Sequence, residues 1–408
     1  MRITINKVIA PFILFIFFME NCFYLLNISE INISGSFAYS DIWLIVYLVF
    51  WCYILYKLRK KKCVYKFKKT ILFFCILIFI AALQEYYLTG QSLSLGIRGQ
   101  RTILIIFLSY FAIRKFIFIK NLDANKLLNA FMLIGVFSAL IYIFQKITYD
   151  YVQFIYVMIN ERSGSARFYI DSSLIHISGL FAAYKYLTSF KLKYLSIYII
   201  DLIYVFWVSQ GRLELMSFLF ATIVGALITK DFNLKKLFII IFIIVCLGVF
   251  FSSGYIEQIL DVMKNVDDTS IEENTMAIRY LGRMLYIMQL TESWNTLIFG
   301  CGYPNLLYEP AVIKAGLDMN INLNDNGLWG FVYIYGLIGL IFVIILFVKF
   351  IRFAFNLFRK KENLFYLMYI CFIVILSYNI IFWYWRYDGA FLLIVVLCLL
   401  EHELFDFN

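Results

Sequence analysis

Apolar residues run in long blocks along the chain, broken by short polar or basic connectors. Twelve blocks stand out, near 8–27, 37–56, 70–88, 102–119, 127–147, 170–188, 194–210, 213–229, 237–254, 327–350, 363–382 and 389–404. A helix needs roughly 20 apolar residues to cross the hydrocarbon of a bilayer, so each block predicts one spanning helix. The pattern predicts an all-α, polytopic membrane protein of about twelve helices, a single membrane domain over 1–408. One interval breaks the rhythm. Residues 255–324, between the ninth and tenth blocks, form the longest polar stretch and predict one large outer loop.

Composition agrees with the pattern. With 63% hydrophobic residues, 15% charged residues and a mean hydropathy of +0.84, the chain is too apolar for a soluble domain. The first block is broken by Glu20 and Asn21 and lacks a small-residue cleavage site, so it reads as a retained span. A net charge of +10 would suit nucleic acid in a soluble protein. In a membrane protein basic residues must first be sorted by side, because cytoplasmic loops collect them. With both termini cytoplasmic, 20 Lys and 5 Arg fall inside and 3 Lys and 8 Arg outside, and every basic run, such as Lys57 to Lys69 and Arg114 to Lys126, lands inside. Nucleic acid is therefore not an expected partner, and a cytoplasmic (inner) membrane is the expected location. Seven of the eight cysteines lie in or beside apolar blocks or in a basic loop, and only Cys301 is in the long polar interval, so no disulfide framework follows.

The two sides differ in kind as well as number. The outer cations are nearly all arginine: Arg98, Arg101, Arg162, Arg167, Arg212, Arg279, Arg283 and Arg386. Guanidinium is planar and grips phosphate with two parallel hydrogen bonds, whereas lysine acts as a point charge. Any one of these arginines has a plain reading as an interfacial anchor or the partner of a nearby carboxylate. Together, on the side that disfavours positive charge, they point to an anionic ligand. No Gly-rich phosphate loop, metal-binding His/Cys cluster or cytoplasmic nucleotide-binding domain is visible, so neither metal nor cofactor is expected. The acidic run with Asp267, Asp268, Glu272 and Glu273 lacks the ligand alternation of a calcium loop. His176 reads as a satisfied core histidine and His402 as incidental.

Local patterns add expectations. Arg98 and Arg101 are three apart and share a face if their turn is helical. The 149–169 segment, with Arg162 and Arg167, reads as an interfacial helix followed by a flexible turn. Arg212 and Glu214 stand at the mouth of the eighth block, and both are expected at the membrane surface, since a buried unpaired charge is costly. Arg386 and Asp388 are framed by Trp383, Tyr384, Trp385 and Tyr387, rings that suit either sugar stacking or an aromatic belt. Arg279 and Arg283, four apart, would lie on one helix face.

The order SQGRLEL, an arginine-bearing outer loop, IFGCGYPNL, then NDNGLWGFVYIYGLIGL resembles the bacterial O-antigen polymerase and O-antigen ligase family over about the C-terminal half of the chain. That family has a His-Asn pair at a span start and a Gly about ten residues on. Here Asn326 and Gly336 keep the spacing, Gly339 follows, and Asp325 replaces the histidine. The resemblance implies a GT-C-like membrane glycosyltransferase using undecaprenyl-diphosphate-linked oligosaccharides as donor and acceptor, among membrane lipid and with a chain-length regulator as a possible partner. It implies diphosphate binding by Arg212, Arg279, Arg283, Arg98 and Arg101, glycan contacts by Asn326, Trp385 and Arg386, and proton abstraction by Asp325. The plain reading of Asn324, Asp325 and Asn326 is a helix N-cap. Within the family, transfer to lipid A core by a ligase is the alternative reaction. A lipid-linked oligosaccharide flippase is the alternative outside it, although two related halves and mid-membrane charges are not evident.

Overall fold

The computed structural model describes residues 8–27, 39–162, 165–170, 172–229, 275–378 and 380–405. Its helices are α1 (Ala10–Met19), α2 (Tyr39–Lys57), α3 (Lys68–Thr89), α4 (Leu93–Leu108), α5 (Tyr110–Lys120), α6 (Ala124–Thr148), α7 (Ser173–Ser189), α8 (Leu192–Ile203), α9 (Arg212–Ile228), α10 (Thr275–Thr291), α11 (Trp294–Phe299), α12 (Glu309–Lys314), α13 (Leu328–Lys361), α14 (Phe365–Leu376), the single turn α15 (Phe382–Trp385) and α16 (Tyr387–Phe405). Among the described residues five helical segments are long and apolar enough to cross a membrane: α2, α3, α4 with α5, α6 and α13. The described residues are thus all-helical apart from one small hairpin, with the apolar helices of a membrane-embedded protein. The ninth block, 237–254, lies outside the described residues, as do 255–274 of the polar interval. The rest of that interval carries α10, α11 and α12, with Arg279 and Arg283 on α10.

The last helix is the hub. Every side chain from Ala390 to Leu400 in α16 is fully buried, against α4, α5, α7, α13 and α1. A helix that is apolar on all sides is stable only where other helices cover every face or lipid does, and here helices do. Near its C-terminal end Glu401 accepts hydrogen bonds from Arg114 Nε (2.9 Å), the Tyr110 hydroxyl (2.6 Å) and the Phe67 backbone N–H (2.9 Å). Arg114 was expected in an inner basic connector, but α5 continues past it to Lys120 and turns it into the core. Its burial is tolerable because Glu401 is there, since an unpaired buried charge would be strongly destabilising.

A second correction concerns 149–169. Ile159–Arg162 (β1) and Ser165–Phe168 (β2) pair as antiparallel strands, Ile159 opposite Phe168 and Arg162 opposite Ser165. Phe168 points inward and is buried while Tyr169 is exposed, the two-residue alternation of a strand rather than a helical stripe.

Two glycine motifs far apart in the chain lock α10 and α11 onto α13. Helix α13 is interrupted at Gly336 (φ 64°, ψ −162°). The carbonyls of Tyr333 and Ile334, which an unbroken helix would offer four residues on, instead accept from the N–H groups of Cys301 (2.6 Å) and Gly302 (3.2 Å). Gly300 (φ 83°) and Gly336 meet back to back. A Cβ on Gly300 would stand 2.3 Å from the Ile334 carbonyl oxygen, and one on Gly336 would stand 2.3 Å from that of Ile298. The interlock needs glycine at both positions, for the positive φ and for the closeness of the two backbones.

Candidate functional site

Helix α10 has its polar side turned inward. Arg279, Gly282, Arg283, Tyr286 and Gln289 recur every three or four residues and so share one face. Gly282 and Tyr286 on that face are buried, while Tyr280, Met284 and Met288 on the other face are exposed. An ordinary amphipathic helix of a soluble protein shows the reverse order. Apolar outside and cationic inside is the order expected of a helix that shields a polar site from lipid.

The 324–326 turn meets this face. Arg279 Nη2 stands 3.7 Å from Asp325 Oδ1, with the two side chains 36% and 45% exposed. That separation exceeds hydrogen-bond distance, so each group retains capacity for another partner. Asn326 is buried and donates to the Asn322 carbonyl at 2.9 Å. Its amide lies where a Cβ on Gly282 would come within 2.8 Å, so the gap between the two arginines in α10 is what admits it. Arg283 places its guanidinium over the Tyr378 ring, 5.4 Å from the centroid. The Tyr286 ring packs on Tyr333 at 4.5 Å, and burial, reinforced by the charge of Asp325, pushes its phenol well above the ordinary range. Tyr286 therefore stays a neutral hydrogen-bonding group. Cys301 is buried nearby. Burial, with Lys314 opposing and Glu85 and Glu292 adding, pushes its thiol up to about 12, which favours the protonated form.

Four buried polar atoms on these residues have no hydrogen-bond partner among the described residues: Arg279 Nε, Tyr286 Oη, Gln289 Oε1 and Asn326 Oδ1. A buried polar atom left unpaired costs about 1–3 kcal/mol, and a hydroxyl-rich ligand would offset that cost. The N-cap reading of this stretch is corrected. Asn324, Asp325 and Asn326 form a 3-10 turn, and the residue preceding α13 is Gly327 (φ 51°, ψ −121°), with no side chain capping the helix. The left-handed step at Gly327 swings Asp325 away from the first turn, so its carboxylate faces Arg279 instead.

A second polar cluster gathers around α9. Glu214 was expected at the membrane surface and is in fact buried. Its Oε2 faces His176 Nε2 at 3.5 Å and accepts from Ser209 Oγ at 3.4 Å, and its Oε1 faces Arg386 Nη2 at 3.9 Å. Burial is possible because these partners arrive from three other parts of the chain. Arg167, in the hairpin, donates from Nε to the Ser209 carbonyl at 2.9 Å. Asp388 accepts from the Ser173 N–H at 2.7 Å and Glu20 from that of Leu174 at 3.3 Å, so two carboxylates meet the positive end of α7. Arg212 opens α9 and is half-buried. Trp383 and Tyr384 are buried core residues, which removes them from both the sugar-stacking and belt readings, whereas Trp385 is half-buried and Tyr387 exposed.

Arg98 and Arg101 do lie on one helix, α4. Arg101 pairs with Asp41 of α2, the plain reading of an outer arginine, and Arg98 is exposed. The turn before α4 is docked to the segment after Gly302. The Gln91 amide donates to the Tyr303 carbonyl (2.9 Å) and accepts from the Asn305 N–H (2.7 Å). Of the residues singled out in the sequence, Arg279 stands beside Asp325 and Asn326 packs at Gly282 between the two arginines of α10, whereas Arg386 stands by Glu214. Sequence reasoning overlooked Tyr286 and Gln289, which the three-to-four spacing from Arg279 could have found, and Tyr378, for which no signal exists. Asp171, the acidic run 267–273 and the side chain of Arg162 lie outside the described residues. Compared with known proteins, the chain matches no family profile and no curated protein sequence.

Proposed function

We propose that this protein is a membrane glycosyltransferase that joins undecaprenyl-diphosphate-linked oligosaccharide repeat units, as an O-antigen or capsular polysaccharide polymerase, on the outer face of the cytoplasmic membrane. The observation that carries the reading is the inward polar face of α10, where two arginines, a carboxylate and an amide from the turn before α13 converge. Phosphate is the anion that paired arginines hold best.

In this reaction an acceptor sugar hydroxyl attacks the anomeric carbon of the donor glycan, and the bond from that carbon to the lipid diphosphate breaks. Asp325, partly exposed and beyond hydrogen-bond distance of Arg279, takes the hydroxyl proton. Arg279 and Arg283 stabilise the charge that develops on the departing diphosphate. One displacement inverts the anomeric centre. Asn326 and Tyr286 offer neutral hydrogen-bonding groups for sugar hydroxyls beside the attacking group. The GT-C-like fold and the twelve-span topology belong to the same proposal.

Asp325 does not cap α13, so substituting it leaves the helix start unchanged and reads the carboxylate alone. Asp325→Asn is expected to insert at the wild-type level yet leave lipid-linked single repeats unextended, with Asp325→His regaining part of the activity. Polymer made by Asp325→Asn at the wild-type rate, in membranes supplied with lipid-linked repeat unit, would refute the role given to this carboxylate.

A further inference from the structure

The stretch from α10 to Tyr308 is fastened to two long apolar helices, α3 and α13, at heights that can be counted along them. Each has lysine toward one end, Lys68 and Lys69 opening α3 and Lys349 in the later part of α13. Lys349 donates to the Lys66 carbonyl, so both counts start from one level. Beyond it the exposed residues are apolar, Ile76, Phe79 and Leu83 on α3 and Leu337, Ile341 and Ile344 on α13, the surface that lipid covers. A helix rises about 1.5 Å per residue and the hydrocarbon is about 30 Å thick, so the far boundary falls near Thr89 on α3. Tyr86 and Tyr87, both exposed, stand just inside that boundary, where an aromatic belt belongs.

Measured this way, the stretch dips below the far boundary and returns to it. Arg279 and Asp325 meet just before α13 begins, about 30 Å from the lysine level. Tyr286 packs on Tyr333 at about 24 Å, and Asn295 Nδ2 donates to Gln84 Oε1 (3.3 Å) at about 22 Å. Gly300 against Gly336 and Gly302 against the Ala81 carbonyl are lower still, at about 18–20 Å. The Tyr308 hydroxyl then donates to the Thr89 carbonyl (2.9 Å), back at the boundary. Counts along two separate helices thus agree on a lowest point about 10 Å inside the hydrocarbon.

The side chains suit that depth. Tyr280, Met284 and Met288 form the exposed face of α10, and Trp294 at the head of α11 is 79% exposed. Glu292, in the turn between the two helices, is exposed as well, which suits a shallow setting and not the bilayer centre, where such a charge is costly.

We propose that α10 and α11 are an interfacial element of the bilayer, with Tyr280, Met284, Met288 and Trp294 resting on the acyl chains of the leaflet opposite the lysines. The partner of this apolar face is the lipid surface itself, continuous with the lipid-facing sides of α3 and α13. Interfacial helices sink about 5–10 Å into the boundary, in keeping with the count. The Arg279 and Asp325 pair then stands at the height of lipid headgroups, and this placement holds whatever reaction the site performs.

The test follows Trp294 emission in the purified full-length protein, taken as the difference between wild type and Trp294→Phe in phosphatidylcholine vesicles. One set of vesicles carries bromine on the acyl chains close to the headgroup, a second close to the chain end, and a third is plain lipid with iodide on both sides. Emission from Trp294 is expected to be lost to bromine near the headgroup, less to bromine at the chain end, and to survive iodide. Met288→Trp, which adds a ring on α10, should give the same order and serves if Trp294→Phe fails to fold. Lys60→Trp, on the exposed turn after α2, should instead be quenched by iodide. Loss of Trp294 emission to iodide, indifference to both brominated lipids, or strongest quenching at the chain end would each overturn the proposal. No substrate enters the experiment, so its outcome is separate from that of repeat-unit extension.

Discussion

Gly336→Ala and Gly300→Ala are each expected to abolish polymer formation and to lower the thermal stability of the purified protein. Both residues hold a positive φ, and a Cβ at either would fall within 2.3 Å of a backbone carbonyl oxygen of the other strand of the interlock. Strain at such a φ and the overpacking cost roughly 1–3 kcal/mol each, and neither obstruction is a flexible side-chain tip that can move aside. Relief would come by pulling the Gly300 turn off the break in α13, which breaks the hydrogen bonds from Cys301 and Gly302 and lets α10 drift from the 324–326 turn. Thermal melting in detergent, followed with repeat-unit extension in membranes, reads both effects. A Gly336→Ala protein that melts and extends like wild type would show that the interlock does not set the site.

Arg283→Ala and Arg279→Ala should each cut the rate of extension by about 10²–10³-fold at normal protein levels, the loss typical of removing one group that stabilises charge in a transition state. Lys60→Ala, on an exposed turn after α2, should change nothing. The two arginines are not equivalent in setting. Arg279 already has Asp325 beside it, so its removal also frees the carboxylate, whereas Arg283 is backed by the Tyr378 ring. Tyr378→Ala should accordingly weaken substrate binding while Asp325 stays functional. Full-length polymer from both arginine variants would place diphosphate binding elsewhere.

The five long apolar helices were legible because a membrane helix announces itself in its own residues, without reference to the rest of the chain. Arg279 and Arg283 were legible for the same reason, since four-residue spacing is a local property. What the sequence withheld depends on contacts across long separations. Gly300 and Gly336 are each visible as glycines, but only the fold shows them touching, with the Cys301 and Gly302 N–H groups completing a helix that belongs to another segment. Glu214 was misplaced by a sound rule, because the cost of burying a charge depends on partners, and His176 and Arg386 arrive from α7 and from the loop before α16. Asp325 looked like a cap because Asn-Asp-Asn before an apolar run is a common helix start. The left-handed Gly327, one residue later, defeats that pattern. The hairpin was missed because its aromatic residues suggested an interface, while its alternation over only four residues per strand is a weak signal.

The most direct test of the central claim is extension by the protein alone. Purified wild type in liposomes is supplied with a single undecaprenyl-diphosphate-linked repeat unit and no other protein, nucleotide or added metal. A ladder of products of two, three and more repeats still attached to lipid diphosphate is expected, with one undecaprenyl diphosphate released for each bond formed and none of this in Arg283→Ala. Repeat units that remain single, whether untouched or merely moved across the bilayer, would contradict it.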